Sequence, residues 1–149
     1  MAINERAPVV AGMAREVHAP VERVWDLIAG IDRWPSWNPA IREAHQSGPL
    51  VKGARFSWKA GPGTIISTIE DVDPPRSIAW SGRTMGIRAM HTWTCEAQGD
   101  RTLVTTEESW DGAVVRVFRK FFQKTLERSL ASGLDALQAA AEEPAPGGK

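Results

Sequence analysis

At 149 residues and 16.3 kDa the chain suits one domain, large enough for folding to bury roughly 68–70% of its unfolded surface. Eighteen basic and eighteen acidic residues cancel, so the overall charge favours neither a nucleic-acid partner nor an anionic membrane. The single cysteine, Cys95, excludes an internal disulfide, and no apolar run has the length of a signal or a membrane span, which predicts a cytoplasmic chain with no integral membrane association.

Residues 1–8 read as a flexible start, 9–142 as one domain and 143–149 as a disordered tail rich in proline and glycine. Val9 to Val17 alternates loosely and predicts a first strand. Pro20 suits the first turn of a helix whose apolar face is Val21, Val24, Trp25 and Ile28. Between Pro35 and Pro39 there is room for about one helical turn, with Trp34 and Trp37 three apart on one face. Both tryptophans are expected to wedge the short helices under a sheet.

A strand is expected at Ile41–Gln46 and a better-marked one at Ala54–Ala60, where Phe56 and Trp58 alternate with polar residues. Thr64–Val72 continues with β-branched residues until Asp73-Pro74-Pro75 ends the run. Further strands are expected from Ser77 to Trp80, Met85 to Ala97 and Thr102 to Trp110, with Thr84 to Gly86 as a flexible lip. Asp111 or Gly112 is placed to cap a closing helix.

That helix is expected to run unbroken from Val114 to Ala141, on the order of 40 Å at ~1.5 Å per residue. Its expected apolar stripe is Val114, Phe118, Phe122, Leu126, Leu130, Leu134, Leu137 and Ala141. Gly133 within it implies close approach, space for a ligand or a tolerated kink. The basic run from Arg116 to Arg128 reads as a solvated face, with a protein-docking patch as the alternative.

Ala19-Pro20-Val21-Glu22-Arg23-Val24-Trp25, the stretch from Asp32 to Pro39, Asp73-Pro74-Pro75 and the closing helix together resemble the START-like (SRPBCC) superfamily. The closest resemblance is to its bacterial polyketide cyclase/dehydrase and lipid-transfer-like branch. It implies an α+β helix-grip fold, in which a curved antiparallel sheet of about seven strands surrounds the last helix and two short helices follow the first strand. It also implies an internal cavity for a hydrophobic or amphipathic small molecule. Carriers, sensors, cyclases, dehydratases and chaperone activators share this fold, so fold alone selects no activity.

The residues themselves locate a polar spot. Gly99-Asp100 suits a two-residue hairpin turn, and pairing around it sets His91 opposite Glu108, Trp93 opposite Thr106 and Cys95 opposite Val104. His91 and Glu108 then share the interior face. Three roles are open to them: a satisfied internal pair that fixes register, an anchor for a guest's polar group, or a catalytic pair in which Glu108 orients His91 as general base for cyclisation or dehydration. Cavity walls are expected at Phe56, Trp58, Ile78, Trp80, Trp93, Trp110, Phe118 and Phe122, each of which core packing would equally explain.

No metal is expected, because His18, His45 and His91 lie on separate segments and Cys95 has no companion. Cys95 reads as a small buried hydrophobe rather than a nucleophile. No cofactor is called for, and a homodimer is left open.

Overall fold

The computed structural model describes residues 3–144. Seven strands form one antiparallel sheet: β1 (Val9–Val17), β2 (Ile41–Gln46), β3 (Arg55–Ala60), β4 (Gly63–Asp73), β5 (Ser77–Thr84), β6 (Ile87–Gln98) and β7 (Arg101–Asp111). Their spatial order is β1-β7-β6-β5-β4-β3-β2, so each strand from β2 to β7 pairs with the next in sequence while β1 closes on β7. Helix α1 (Val21–Ala29) and the one-turn α2 (Trp34–Trp37) follow β1, joined by a turn of 3-10 helix at Ile31–Arg33. The chain ends in α3 (Ala113–Val117) and the long α4 (Arg119–Glu142). This is the helix-grip arrangement.

Turn chemistry sets the registers. Gly99 has φ +69° and closes a two-residue turn, after which β6 and β7 pair without a slip from Gln98–Arg101 to Arg88–Asp111. Met85 and Gly86 both have positive φ, +49° and +79°, which is the backbone of a tight two-residue turn rather than of a loose lip.

Helix α4 lies along β1 and meets α1 near its own C-terminus. Arg23 of α1 ends it: Nε donates to the Ala141 carbonyl at 2.6 Å, and a terminal nitrogen donates to those of Ala140 and Glu143 at 3.0 and 2.8 Å. A cation on the last carbonyls satisfies acceptors that have no helical partner and opposes the negative end of the dipole. Leu126, Leu130, Leu134, Leu137 and Ala141 are the buried face. Leu134, Leu137 and Ala141 join the main core with α1 and the sheet, whereas Leu126 and Leu130 form a smaller cluster with Val9 and Val115.

Two expectations need correction. The closing helix is not continuous, since Phe118, at φ −110° and ψ 43°, breaks it between α3 and α4. Val114 and Phe118, expected on the buried stripe, face solvent, along with Val117 and Phe121. In the stretch 1–8, expected to be flexible, Ile3 is buried and the Asn4 amide donates to Ser109 Oγ at 3.0 Å. Of the expected tail, residues 145–149 lie outside the described residues.

The corrected burial gives a direct comparison between two apolar residues of the C-terminal helical segment. Leu134→Ala should cost ~2–5 kcal/mol through lost burial and a cavity, whereas Phe118→Ala should stay within about 0.5 kcal/mol of wild type. Urea denaturation of both variants checks the ranking, and an equal loss in the two would contradict the break at Phe118.

Candidate functional site

Between the sheet and the N-terminal half of α4 lies a cavity of about 480 Å³. Six of the seven tryptophans are on its wall: Trp34, Trp37, Trp58, Trp80, Trp93 and Trp110. Small residues opposite them leave the space, with Gly82 and Ala89 on the sheet and Thr125, Ser129 and Gly133 on α4. A Cβ added at Gly133 would meet only Trp93 Cη2, at 3.9 Å. Of the three explanations for this glycine, space on the cavity side fits, since no backbone presses on it.

Trp34 organises one end. Its ring contacts those of Phe56, Trp58 and Trp80 at centroid distances of 5.6, 5.5 and 5.4 Å, and its Nε1 donates to the Ile28 carbonyl at 3.1 Å. The row continues from Trp80 to His91 at 4.9 Å and from His91 to Trp93 at 5.4 Å. Edge-on and tilted contacts of this kind suit the ring quadrupoles and hold the wall rigid.

His91 and Glu108 are opposed across β6 and β7, both buried, with Nδ1 and Oε1 3.3 Å apart. That distance is within ion-pair range, yet Nδ1 has no hydrogen bond of acceptable direction. The contact is therefore close without being a formed salt bridge. His91 Nε2 lies 2.8 Å from Thr106 Oγ1, and that hydroxyl donates its only hydrogen to the Thr92 carbonyl at 3.1 Å. Thr106 can thus only accept from the imidazole, which places the ring proton on Nε2 and leaves Nδ1 a bare acceptor. Trp110 Nε1 donates to the other Glu108 oxygen, Oε2, at 2.7 Å.

With Nδ1 bare, an ionised Glu108 would set acceptor against acceptor, and a proton on Oε1 removes the conflict. Burial acts in the same direction on both groups. It pushes the Glu108 carboxyl up to about 7, against a smaller lowering by the Trp110 bond, and holds the His91 imidazole down to about 3. Below about pH 7 the interior pair is a neutral acid beside a neutral base.

Seven of the ten residues expected to bind line the cavity: Trp58, Trp80, His91, Trp93, Glu108, Trp110 and Phe122. Three do not. Phe56 and Ile78 are core residues behind the wall, and Phe118, at the helix break, is exposed. Trp34 and Trp37, expected to wedge the short helices under the sheet, pack in and against the main core and are wall residues as well; their spacing of three on a one-turn helix puts both on one face. Thr106 was legible too, because it shares Glu108's parity on β7.

Cys95 is buried, and burial raises its thiol to about 12, which suits a packing role. Among the described residues no three His, Cys, Asp or Glu side chains are grouped to hold a metal. Among them no helix is long and apolar enough to cross a membrane.

A family model described as polyketide cyclase/dehydrase and lipid transport matches residues 9–142. No curated protein sequence shows a significant match. Among solved structures, a hypothetical protein of Helicobacter pylori superposes with a TM-score of 0.82 at 17% identity, over 93% of this chain and 90% of its own. A START superfamily protein of Mycobacterium smegmatis gives 0.78 at 16% identity, over 89% and 97%. The Zhui aromatase/cyclase of a Streptomyces species gives 0.76 at 18% identity, over 89% and 93%. At these identities the likeness is one of fold.

The neutral pair has a pH signature. Between about 4.5 and 6.5, the ordinary values of the two groups, the unfolded chain carries Glu108 ionised and His91 protonated, whereas the folded chain carries both neutral. The proton count is the same, so the pair leaves stability level there. Above that window the folded state holds the extra proton on Glu108, and stability falls as pH rises through about 7. Below it the unfolded state holds the extra proton, and stability falls as pH drops toward about 3. Glu108→Gln leaves only the His91 contribution, so its stability relative to wild type should already decline as pH drops from 6.5 to 4.5. Urea midpoints for the two proteins across that range measure it, and parallel curves would rule out the neutral pair.

Proposed function

The chain belongs to the polyketide cyclase/dehydrase and lipid transport family, and from that premise we propose that it binds a hydrophobic, ring-bearing small molecule in the cavity between sheet and α4. One observation carries the reading: an apolar wall in which two buried polar atoms, Trp37 Nε1 and His91 Nδ1, have no hydrogen-bond partner. An unsatisfied buried polar group costs ~1–3 kcal/mol; a guest that brings an acceptor to Trp37 recovers it there, and one that brings a donor competes with the Glu108 proton for His91 Nδ1. The volume is within the usual range for small-molecule sites. Glu108 stands beside His91 as a second anchor that donates when protonated and accepts when ionised.

Titration with hydroxylated polycyclic aromatics and with fatty acids, followed by tryptophan fluorescence, tests the proposal. Wild type should saturate with at least one of these. Gly133→Phe places a ring in the empty space and should weaken binding at least tenfold, ~1.4 kcal/mol, without loss of fold. Absence of binding by every apolar probe would defeat the reading.

A second reading, acid–base catalysis of cyclisation or dehydration, is favoured by a carboxyl near neutrality beside a neutral imidazole in a water-poor wall. The roles differ from the sequence expectation of His91 as base. With Nε2 committed to Thr106 and the ring held weakly basic, proton transfer falls to Glu108 and positioning to His91. On a cyclising substrate Glu108→Gln should abolish turnover yet keep affinity within about tenfold, ~1.4 kcal/mol. Equal loss of both would assign Glu108 to anchoring alone.

A further inference from the structure

Strand β4 places a hydroxyl where its own pattern calls for an aliphatic side chain. Ile65, Ser67 and Ile69 share one face by the period of two, and Ile69 belongs to the main core. Ser67 is 1% exposed and lines the cavity. Its Oγ accepts from Trp58 Nε1 at 3.0 Å, and among the described residues the hydroxyl makes no other hydrogen bond. Satisfying Trp58 accounts for the oxygen. It leaves the hydroxyl hydrogen without an acceptor.

The neighbouring strand keeps that hydrogen within reach. Ser67 pairs with Gly82 on β5, and a Cβ added at Gly82 would stand 3.2 Å from Ser67 Oγ. A side chain there would crowd the hydroxyl, and glycine does not.

Other groups of the wall share the condition. Trp37 Nε1 has no partner. Asn38 accepts the Ala40 amide on Oδ1 at 3.1 Å, while its amino group makes no hydrogen bond among the described residues. Against these three uncommitted donors the wall sets one bare acceptor, His91 Nδ1, which already stands beside Glu108. Such a cavity asks its guest for acceptors. Among the described residues no lysine or arginine lines the space, so a carboxylate held at Ser67 would be a buried ion with no countercharge. A carbonyl oxygen accepts the same hydrogen bond without bringing a charge.

We propose that Ser67, engaged by Trp58 and left uncovered by Gly82, is the donor of a second polar subsite that takes an uncharged acceptor oxygen of a ring-bearing guest, a ketone or ester carbonyl, in preference to a carboxylate. The subsite rests on the cavity reading above and names the chemical class that the cavity selects.

Equilibrium dialysis of the full-length protein against fluorene, fluorenone and fluorene carboxylate tests it, since the three share a ring system and differ in the oxygen group. Wild type should bind fluorenone about fivefold more tightly than fluorene, the fold-change to which ~1 kcal/mol for one hydrogen bond corresponds, and should bind the carboxylate most weakly. Ser67→Ala should bring fluorenone to the affinity of fluorene and leave fluorene unchanged. Ser67→Cys keeps an acceptor for Trp58 but offers only a weak S–H donor, so it should narrow the ratio likewise, and it carries the test where the alanine variant does not fold. A serine that merely packed against Trp58 would shift both ligands together and leave their ratio intact. Equal binding of fluorene and fluorenone by wild type, a fluorenone preference that survives both substitutions, or tightest binding of the carboxylate overturns the proposal while the cavity reading stands. Binding of none of the three counts against the cavity itself, and the subsite falls with it.

Discussion

The register between β6 and β7 is the constraint on which the interior depends. A side-chain period of two means that a slip by one residue would turn every inward group outward. The Gly99–Asp100 turn admits no slip: β6 and β7 pair without interruption, with His91 on Glu108 and Trp93 on Thr106. The next strand follows suit, since Trp80 pairs with His91. Trp80, His91 and Trp93 thus form one wall, and Thr106 arrives at the imidazole's far nitrogen as a consequence of the same alternation. Tautomer, wall and polar spot follow from one glycine-bearing turn.

Burying a carboxyl and an imidazole is costly if either is charged, and the effective penalty is several kcal/mol per ion. This interior avoids that cost. Desolvation raises one group and lowers the other, so the favoured state carries a proton on Glu108 and none on His91 Nδ1. Thr106, Thr92 and Trp110 satisfy the remaining atoms and leave His91 Nδ1 beside the Glu108 carboxyl. A charged pair would have had to close on itself. A neutral pair can stay open, and this is why the same two residues serve an anchor and an acid equally well.

The sheet was readable because strand signals are local: alternation, β-branched runs, and Gly or Pro at the ends. Cross-strand pairing was readable for the same reason, given a two-residue turn. The helix was misread at its start for a geometric reason. A row of residues spaced by four rotates about 40° per step around a 3.6-residue helix, so Phe118, four steps before Leu134, is about 160° away from it. The leucines fix the buried face and Phe118 cannot share it. Trp34 and Trp37 pack as their spacing predicts, yet nothing local shows that this one-turn helix will also lie against the cavity. That is a tertiary fact, visible only once Trp34 meets the rings of β3 and β5.

Why the interior is hollow can be traced to the other side of α4. Thr125, Ser129 and Gly133 recur at four-residue spacing on the cavity side, among leucines that fill the cores on either hand. Leucines in that row would close the space against the tryptophans and bury more apolar surface, at ~25 cal/mol per Å². Gly133 alone costs ~1 kcal/mol of helix stability relative to alanine, and the open geometry beside it would accept a side chain. Stability is forgone on the one helical face that looks at the aromatic wall, and the adjoining end of that helix holds Phe118 and Phe121 in solvent. The first departure lies on the cavity wall that also carries His91, which is where a protein built to admit a guest would place it.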